Sequence, residues 1–118
     1  MSLTDARTTS MAERLPPGLL SKIIAQLNPR HVIVFGSQAT GKTHRDSDWD
    51  LLVVVDDETP AERINWRAMH EVRRGIRGAM DLIPCRESTF HDRVDIVGSL
   101  PWTAATEGIT VYERADES

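Results

Sequence analysis

Short apolar segments alternate with polar stretches along the chain, and their spacing predicts a mixture of helices and strands. Residues 17–28 carry leucine and isoleucine at helical spacing and end at Asn28 and Pro29, a pattern typical of a helix and its stop. Three short apolar runs rich in β-branched residues indicate buried strands. A fourth, weaker strand is expected near the C-terminus; the four segments cover residues 31–35, 48–55, 80–85 and 108–113.

A longer helix is expected between the second and third strands. Thr59, Pro60 and Glu62 form a capping-box pattern with proline at the first helical position, which predicts a helix that runs to about Arg77. Its apolar stripe recurs every four residues and comprises Ile64, Ala68, Val72 and Ile76.

Weaker signals complete the pattern. Residues 88–97 and 99–107 indicate two further helices, and Pro84 makes the third strand short or edge-like. The resulting order, α-β-β-α-β-α-β, predicts an α+β fold in which helices flank a small mixed β-sheet.

Composition limits the class of protein. The 118 residues suit one domain, expected at 15–114, with 1–14 as a flexible polar leader and 115–118 as a solvated tail. No apolar run approaches the roughly 18–20 residues of a membrane span, and the net charge of −4 argues against broad nucleic-acid binding. The single cysteine, Cys85, excludes an internal disulfide and favours a reducing cytoplasm.

The stretch "VFGSQATGKTHRDSDWDLLVVVD" fits two phosphate-binding patterns. Gly36, Gly41, Lys42 and Thr43 match the P-loop motif. A P-loop lysine starts a helix that returns the chain to a parallel strand, and such a crossover needs a dozen or more residues. Only nine residues, KTHRDSDWD, precede the next apolar run. We therefore expect two neighbouring strands joined by a compact loop, and a P-loop NTPase remains the lesser alternative.

The second pattern combines a glycine–serine pair with paired aspartates. Asp48 and Asp50 lie two residues apart on a predicted strand, so they point the same way at about 6.6 Å. Two carboxylates at that distance repel by roughly 2–3 kcal/mol, and a Mg²⁺ ion between them would reverse the sign. Gly36 and Ser37 end the preceding strand, where backbone amides and a hydroxyl suit phosphate. A third carboxylate is expected on a neighbouring strand, and Asp81 is the best-placed candidate.

The stretch "GSQATGKTHRDSDWD", in which ten residues separate Gly-Ser from Asp-x-Asp, resembles the DNA polymerase beta-like nucleotidyltransferase superfamily and its minimal MNT-type members. The resemblance implies a polymerase beta palm-like fold. It also implies that Gly36 and Ser37, with Lys42 in the same loop, bind the triphosphate of ATP. The three aspartates would bind two Mg²⁺ ions, with Asp81 nearer the acceptor hydroxyl.

The same resemblance implies a partner. Minimal members are commonly antitoxins of HEPN-domain toxins and can transfer AMP to a toxin tyrosine, which makes a protein adenylyltransferase the leading hypothesis. Many relatives carry arginine where this chain has Gln38 and Thr40. Lys42, His44 and Arg45 are the candidates to replace that charge. The alternative is a catalytically weak antitoxin that neutralises its toxin by complex formation alone.

Overall fold

The computed structural model describes residues 6–41 and 48–115. Its four strands form one mixed sheet in the order β3-β2-β1-β4. β1 is antiparallel to both β2 and β4, whereas β3 is parallel to β2. The antiparallel pairing of β1 with β2 confirms that they are direct neighbours and rules out the crossover of a P-loop, so that alternative is wrong. The strands span His31–Phe35, Trp49–Val55, Met80–Arg86 and Ile109–Glu113.

Helices cover both faces of the sheet. α1 (Ala6–Arg14), α2 (Leu19–Leu27) and α4 (Trp66–Arg73) pack on one face, here called the broad face. α5 (Glu87–Arg93) and α6 (Leu100–Glu107) cover the other, here called the narrow face. A single helical turn, α3 (Ser37–Thr40), follows β1. None of these described helices has the length and apolar character needed to cross a bilayer.

Two apolar clusters follow from the alternation of side chains along each strand. Because both sheet faces are covered, the central strands β1 and β2 are almost continuously apolar. The broad-face cluster joins Val32, Val34, Leu51, Val53 and Val55 to the helices α1, α2 and α4. The smaller narrow-face cluster contains Ile33, Phe35, Leu52, Val54 and Ala104.

Part of the expected leader is an ordered helix. We predicted a loose segment over residues 1–14, but residues 6–14 form α1, and Met11 is only 4% exposed. Met11 in α1 and Leu15 directly after it are four residues apart, and both belong to the broad-face cluster. The Thr8 hydroxyl donates a hydrogen bond to the Thr110 carbonyl of β4 at 3.0 Å.

The helix predicted from Thr59 to Arg77 is interrupted. A 3₁₀ turn at Ala61–Arg63 ends at Ile64, and α4 begins only after Asn65, whose side chain accepts a hydrogen bond from the Ala68 amide at 2.8 Å. Asparagine favours such caps because its carbonyl satisfies an amide that the first turn leaves unpaired. Of the predicted stripe, Val72 is buried, and Ile64, Ala68 and Ile76 pack against the broad-face cluster in partly buried positions. Met69, which was not predicted, is the other buried residue of α4.

Candidate active site

Three adjacent strands present polar residues at one end of the sheet, where the strands start or stop. β1 ends there at Phe35, and β2 and β3 both begin there. Phe35 lies opposite Asp50, and Asp50 lies opposite Asp81 in the parallel ladder. Since neighbouring strands are about 4.8 Å apart, Gly36, Asp50 and Asp81 follow one another across three strands. Residues that are distant in sequence therefore meet at one place.

Asp50 and Asp81 share the narrow face. Strand alternation puts Asp50 on the side of Leu52, and Asp81 on the side of Ile83. Asp50 is partly buried, whereas Asp48 and Asp81 are exposed. Trp49 points to the opposite, broad face and packs against its cluster in a partly buried position.

Gly36 is shaped for close approach to Asp50. Its φ of 78° and ψ of −157° lie in a region that is essentially restricted to glycine. A Cβ atom on Gly36 would stand 2.5 Å from Oδ2 of Asp50. The Gly36 carbonyl accepts hydrogen bonds from the amides of Ala39 and Thr40, each at 3.1 Å. Glycine thus holds the backbone after β1 directly against the carboxylate of β2.

Asp50 lies in an environment that disfavours its negative charge. Burial raises the pKa of the Asp50 carboxyl, and the charges of Asp81 and then Asp48 raise it further. Asp81 lies opposite Asp50 in the ladder and Asp48 precedes it by two residues, so both carboxylates are near enough to repel it. A bound cation would relieve this repulsion, because it attracts all three groups at once.

Arg14 lies on the broad-face side of α3 and belongs to a helix that the sequence did not predict. Its Nη2 donates a hydrogen bond to Oε1 of the buried Gln38 at 3.1 Å. Its guanidinium also lies 6.0 Å from the centre of the Trp49 ring. Arg14 and Gln38 line a cavity of about 350 Å³ between α1 and α3. No motif spacing links Arg14 to the loop, since only the folding of α1 brings them together.

Lys42, the third proposed phosphate ligand, lies outside the described residues, as do His44 and Arg45. Within the described part of the chain, the structure places Gly36, Ser37 and the three aspartates at the same end of the sheet. It also brings the guanidinium of Arg14 beside Gln38.

The nucleotidyltransferase domain family model matches residues 19–103. The chain belongs to the nucleotidyltransferase domain family. No curated protein matches the chain with significance. This family membership confirms the predicted nucleotidyltransferase class, and the mixed four-stranded sheet with flanking helices confirms the predicted fold.

Solved structures share this fold at low identity. A putative nucleotidyltransferase from Sulfolobus solfataricus is 24% identical, with a TM-score of 0.52 over 94% of this chain and 91% of that one. A toxin–antitoxin structure with AMP-PNP is 19% identical, with a TM-score of 0.54 over 82% and 73% of the two chains. A mutant toxin–antitoxin MntA-HpeT is 15% identical, with a TM-score of 0.56 over 81% and 71%.

The residues present fit the Mg²⁺ ions and nucleotide that nucleotidyltransferases use. Among the described residues, no three side chains of His, Cys, Asp or Glu stand together as a ready-made metal site. Mg²⁺ does not require one, because it usually takes one or two carboxylates and completes its shell with phosphate and water. Asp50 and Asp81, which lie opposite each other in the parallel ladder, can provide those one or two carboxylates. Nucleotide phosphates would then supply the remaining ligands.

Proposed function

We propose that this nucleotidyltransferase is an antitoxin that transfers AMP from ATP to a tyrosine hydroxyl of a partner HEPN toxin in the cytoplasm. The observation that carries the chemistry is the register that sets Asp50 opposite Asp81, with Gly36 against Asp50. The partner is supported by the two toxin–antitoxin structures that share the fold, one of which is described with AMP-PNP. The single cysteine supports the location.

The proposed roles follow the order of the strands. Gly36 and Ser37 hold the triphosphate, with Lys42 in the same loop as a further phosphate ligand. Asp48, Asp50 and Asp81 would bind two Mg²⁺ ions, which supply positive charge where negative charge develops on the phosphate oxygens.

The reaction is an in-line displacement. The acceptor oxygen forms a bond to the α-phosphorus while the bond from that phosphorus to the bridging oxygen of the pyrophosphate breaks. The hydroxyl proton passes to Asp81 or to solvent, and pyrophosphate leaves on the side of Gly36.

A direct test uses ATP labelled on the α-phosphate, Mg²⁺ and the protein encoded by the adjacent gene. We expect label on a tyrosine of that protein with the wild type, and no label with Asp50→Asn or Asp81→Asn. Absence of label with wild type, or undiminished label with both variants, would contradict the proposal.

A second candidate function is neutralisation by binding alone. It is favoured by Gln38 and Thr40, which replace arginines common among the relatives the sequence resembles, and by the burial of Gln38. It predicts that Asp50→Asn/Asp81→Asn still neutralises the toxin's ribonuclease activity. If this variant still forms the complex yet fails to neutralise, transfer is required and the binding-only role is wrong.

A further inference from the structure

A second cavity, of about 300 Å³, opens on the narrow face between the sheet and the helices α5 and α6. Its floor contains Leu52 of β2 and Ile83 and Cys85 of β3, and its rim contains Arg93 and Leu100. The lining is mainly apolar, with a few polar groups at the edge, which is the usual character of a ligand-binding cavity. Its residues have no role in the proposed transfer.

The cavity floor continues the surface that carries the aspartates. Leu52 is two residues beyond Asp50, and Ile83 is two residues beyond Asp81, on the same face of the same strands. Residues two apart on a strand are separated by about 6.6 Å. The end of the cavity at Leu52 and Ile83 thus lies one such step from Asp50 and Asp81, so a side chain seated there is close to the reacting centre.

The strand order indicates which substrate the cavity serves. Gly36 adjoins Asp50 from β1, and Asp81 stands on the far side, on β3. In an in-line displacement the nucleophile enters opposite the leaving group. If pyrophosphate leaves beside Gly36, the acceptor enters from the β3 side, and the cavity lies under β2 and β3. The position of the cavity therefore indicates that it binds the acceptor rather than the triphosphate.

The surface around the rim has the character of a protein contact. Ile96 is 53% exposed, Val97 77% and Leu100 45%, and all three lie in the segment that joins α5 to the start of α6. Leu100 also lines the cavity, so the exposed apolar strip runs into it. An exposed apolar patch beside a cavity commonly marks a site for a protein partner, and it offers little to a charged nucleotide.

We propose that this cavity seats an apolar side chain of the partner protein, close in its chain to the hydroxyl that accepts AMP. This inference rests on the proposed transfer function. On an extended segment the anchor would be two residues from the acceptor, because side chains on one face repeat every 6.6–6.8 Å or so. On a helix it would be three or four residues away, at about 5–6 Å. The partner itself therefore supplies the anchor that aligns its hydroxyl.

The first test compares Leu100→Glu with Trp66→Glu. Both replace an exposed apolar residue by a charge, but Trp66, 75% exposed, lies on α4 on the opposite side of the sheet. With the adjacent-gene protein as acceptor, we expect Leu100→Glu to raise its KM about tenfold or more, the scale of losing an interface anchor. AMP-PNP affinity should stay unchanged, and Trp66→Glu should match wild type. Equal KM values for the two variants would overturn the proposal.

The second test uses Cys85, the only cysteine in the sequence, as a reporter of the cavity. We expect the adjacent-gene protein to slow alkylation of Cys85 by iodoacetamide at least about tenfold at saturating concentration. Mg²⁺ with AMP-PNP alone should leave the rate unchanged. Protection by AMP-PNP alone would assign the cavity to the nucleobase and overturn the proposal.

The two proposals fail in distinguishable ways. If the proposed transfer function is wrong, the wild-type protein transfers no label to the acceptor. Loss of the cavity assignment is seen as normal label together with unchanged KM for Leu100→Glu or unprotected Cys85 in the complex.

Discussion

At the scale of single residues, Gly36 is constrained in two independent ways. It combines a backbone conformation open almost only to glycine with a carboxylate oxygen where a Cβ would stand. The two constraints have different consequences, since the first concerns stability and the second concerns the position of Asp50. Comparing Gly36 with another glycine of positive φ can therefore separate the effect on stability from the effect on Asp50.

We expect Gly36→Ala to destabilise the protein by about 1–3 kcal/mol and to lower AMP transfer by roughly 100-fold, because it displaces Asp50. Gly75→Ala is the matched control, since Gly75 also has a positive φ (81°) but no atom within 4 Å of the added Cβ. Urea unfolding and label transfer would be measured for both. If Gly75→Ala lowers transfer as much as Gly36→Ala does, the contact with Asp50 is not the cause.

Asp50 illustrates a conflict between stability and function. Its charge is disfavoured by burial and by two neighbouring carboxylates. Replacing it by asparagine keeps the shape of the side chain and removes the repulsion.

We expect Asp50→Asn to increase the free energy of unfolding at pH 7 by roughly 1 kcal/mol, a modest gain because water screens the exposed partners. Transfer should fall at least about 100-fold, the scale of losing one group that stabilises the transition state. Asp92→Asn, which neutralises an exposed carboxylate on α5, should change neither quantity. A destabilised Asp50→Asn protein would show that the repulsion is not felt in the folded state.

At the scale of elements, the polar helix α1 contributes both to the core and to the surroundings of Gln38. It contributes Met11 to the broad-face cluster and Arg14 to the surroundings of Gln38. One short helix therefore links the core to the turn that follows Gly36, where we propose that phosphate binds.

We expect Met11→Ala to lower the free energy of unfolding by about 2–4 kcal/mol, because it leaves a cavity in the cluster. Glu13→Ala, on the exposed side of the same helix, should change it by less than about 0.5 kcal/mol. Thermal and urea unfolding would both report the difference. Equal stability of the two variants would mean that α1 does not pack on the sheet in solution.

The sequence predicted the strands and α2 closely. Each strand is a short, nearly continuous apolar run, and the apolar residues of α2 recur at helical spacing. The prediction failed where a single cap decided the outcome. Asn65 interrupts the helix expected after Thr59, and its amide–carbonyl cap outweighs the capping-box pattern upstream. Gly75, with a φ of 81°, follows the end of α4 before the expected Arg77.

The exact partners in long-range contacts were also beyond local sequence patterns, although Asp81 was expected on a strand near Asp50. The register of Asp50 with Asp81 depends on the return of the chain through α4 to a parallel strand. The meeting of Arg14 with Gln38 depends on the docking of α1. Neither contact has a local signal, whereas the pairing of Asp48 with Asp50 follows from strand geometry alone.

At the scale of the whole molecule, an ionic network closes the end of the sheet opposite the site. Asp56, after β2, accepts hydrogen bonds at 2.9 Å from Arg30, before β1, and from Arg114, after β4. Arg30 also pairs with Glu87 at the start of α5 at 2.8 Å. The network joins three strands and a helix, and hydrogen bonds from Arg30 and then Arg114 lower the pKa of Asp56.

We expect Asp56→Asn to lower the free energy of unfolding at pH 7 by about 2 kcal/mol, the scale of hydrogen bonds to a charged group. Because the folded state holds the pKa of Asp56 below its ordinary 3.8, this stability is complete above pH 3.8 and is lost as the pH falls through the lowered value. The gap between wild type and variant should therefore be constant from pH 7 to about 5 and shrink below 3.8.

Urea unfolding between pH 3 and 7 would measure that gap. Glu58→Gln, which neutralises an exposed carboxylate two residues away, should change stability by less than about 0.5 kcal/mol. A gap that widens as the solution becomes more acidic would contradict the assigned sign.

The side-chain pattern of the edge strand β3 affects how firmly its register against β2 is specified. The strand is apolar on both sides, with Met80 and Leu82 toward the broad face and Ile83 and Cys85 toward the narrow face. A slip by one residue would exchange the two sides and still bury apolar groups. Asp81 breaks this near-symmetry, because the slip would turn its carboxylate into the broad-face core without a partner. The residue proposed for chemistry thus also disfavours the wrong alignment of its own strand.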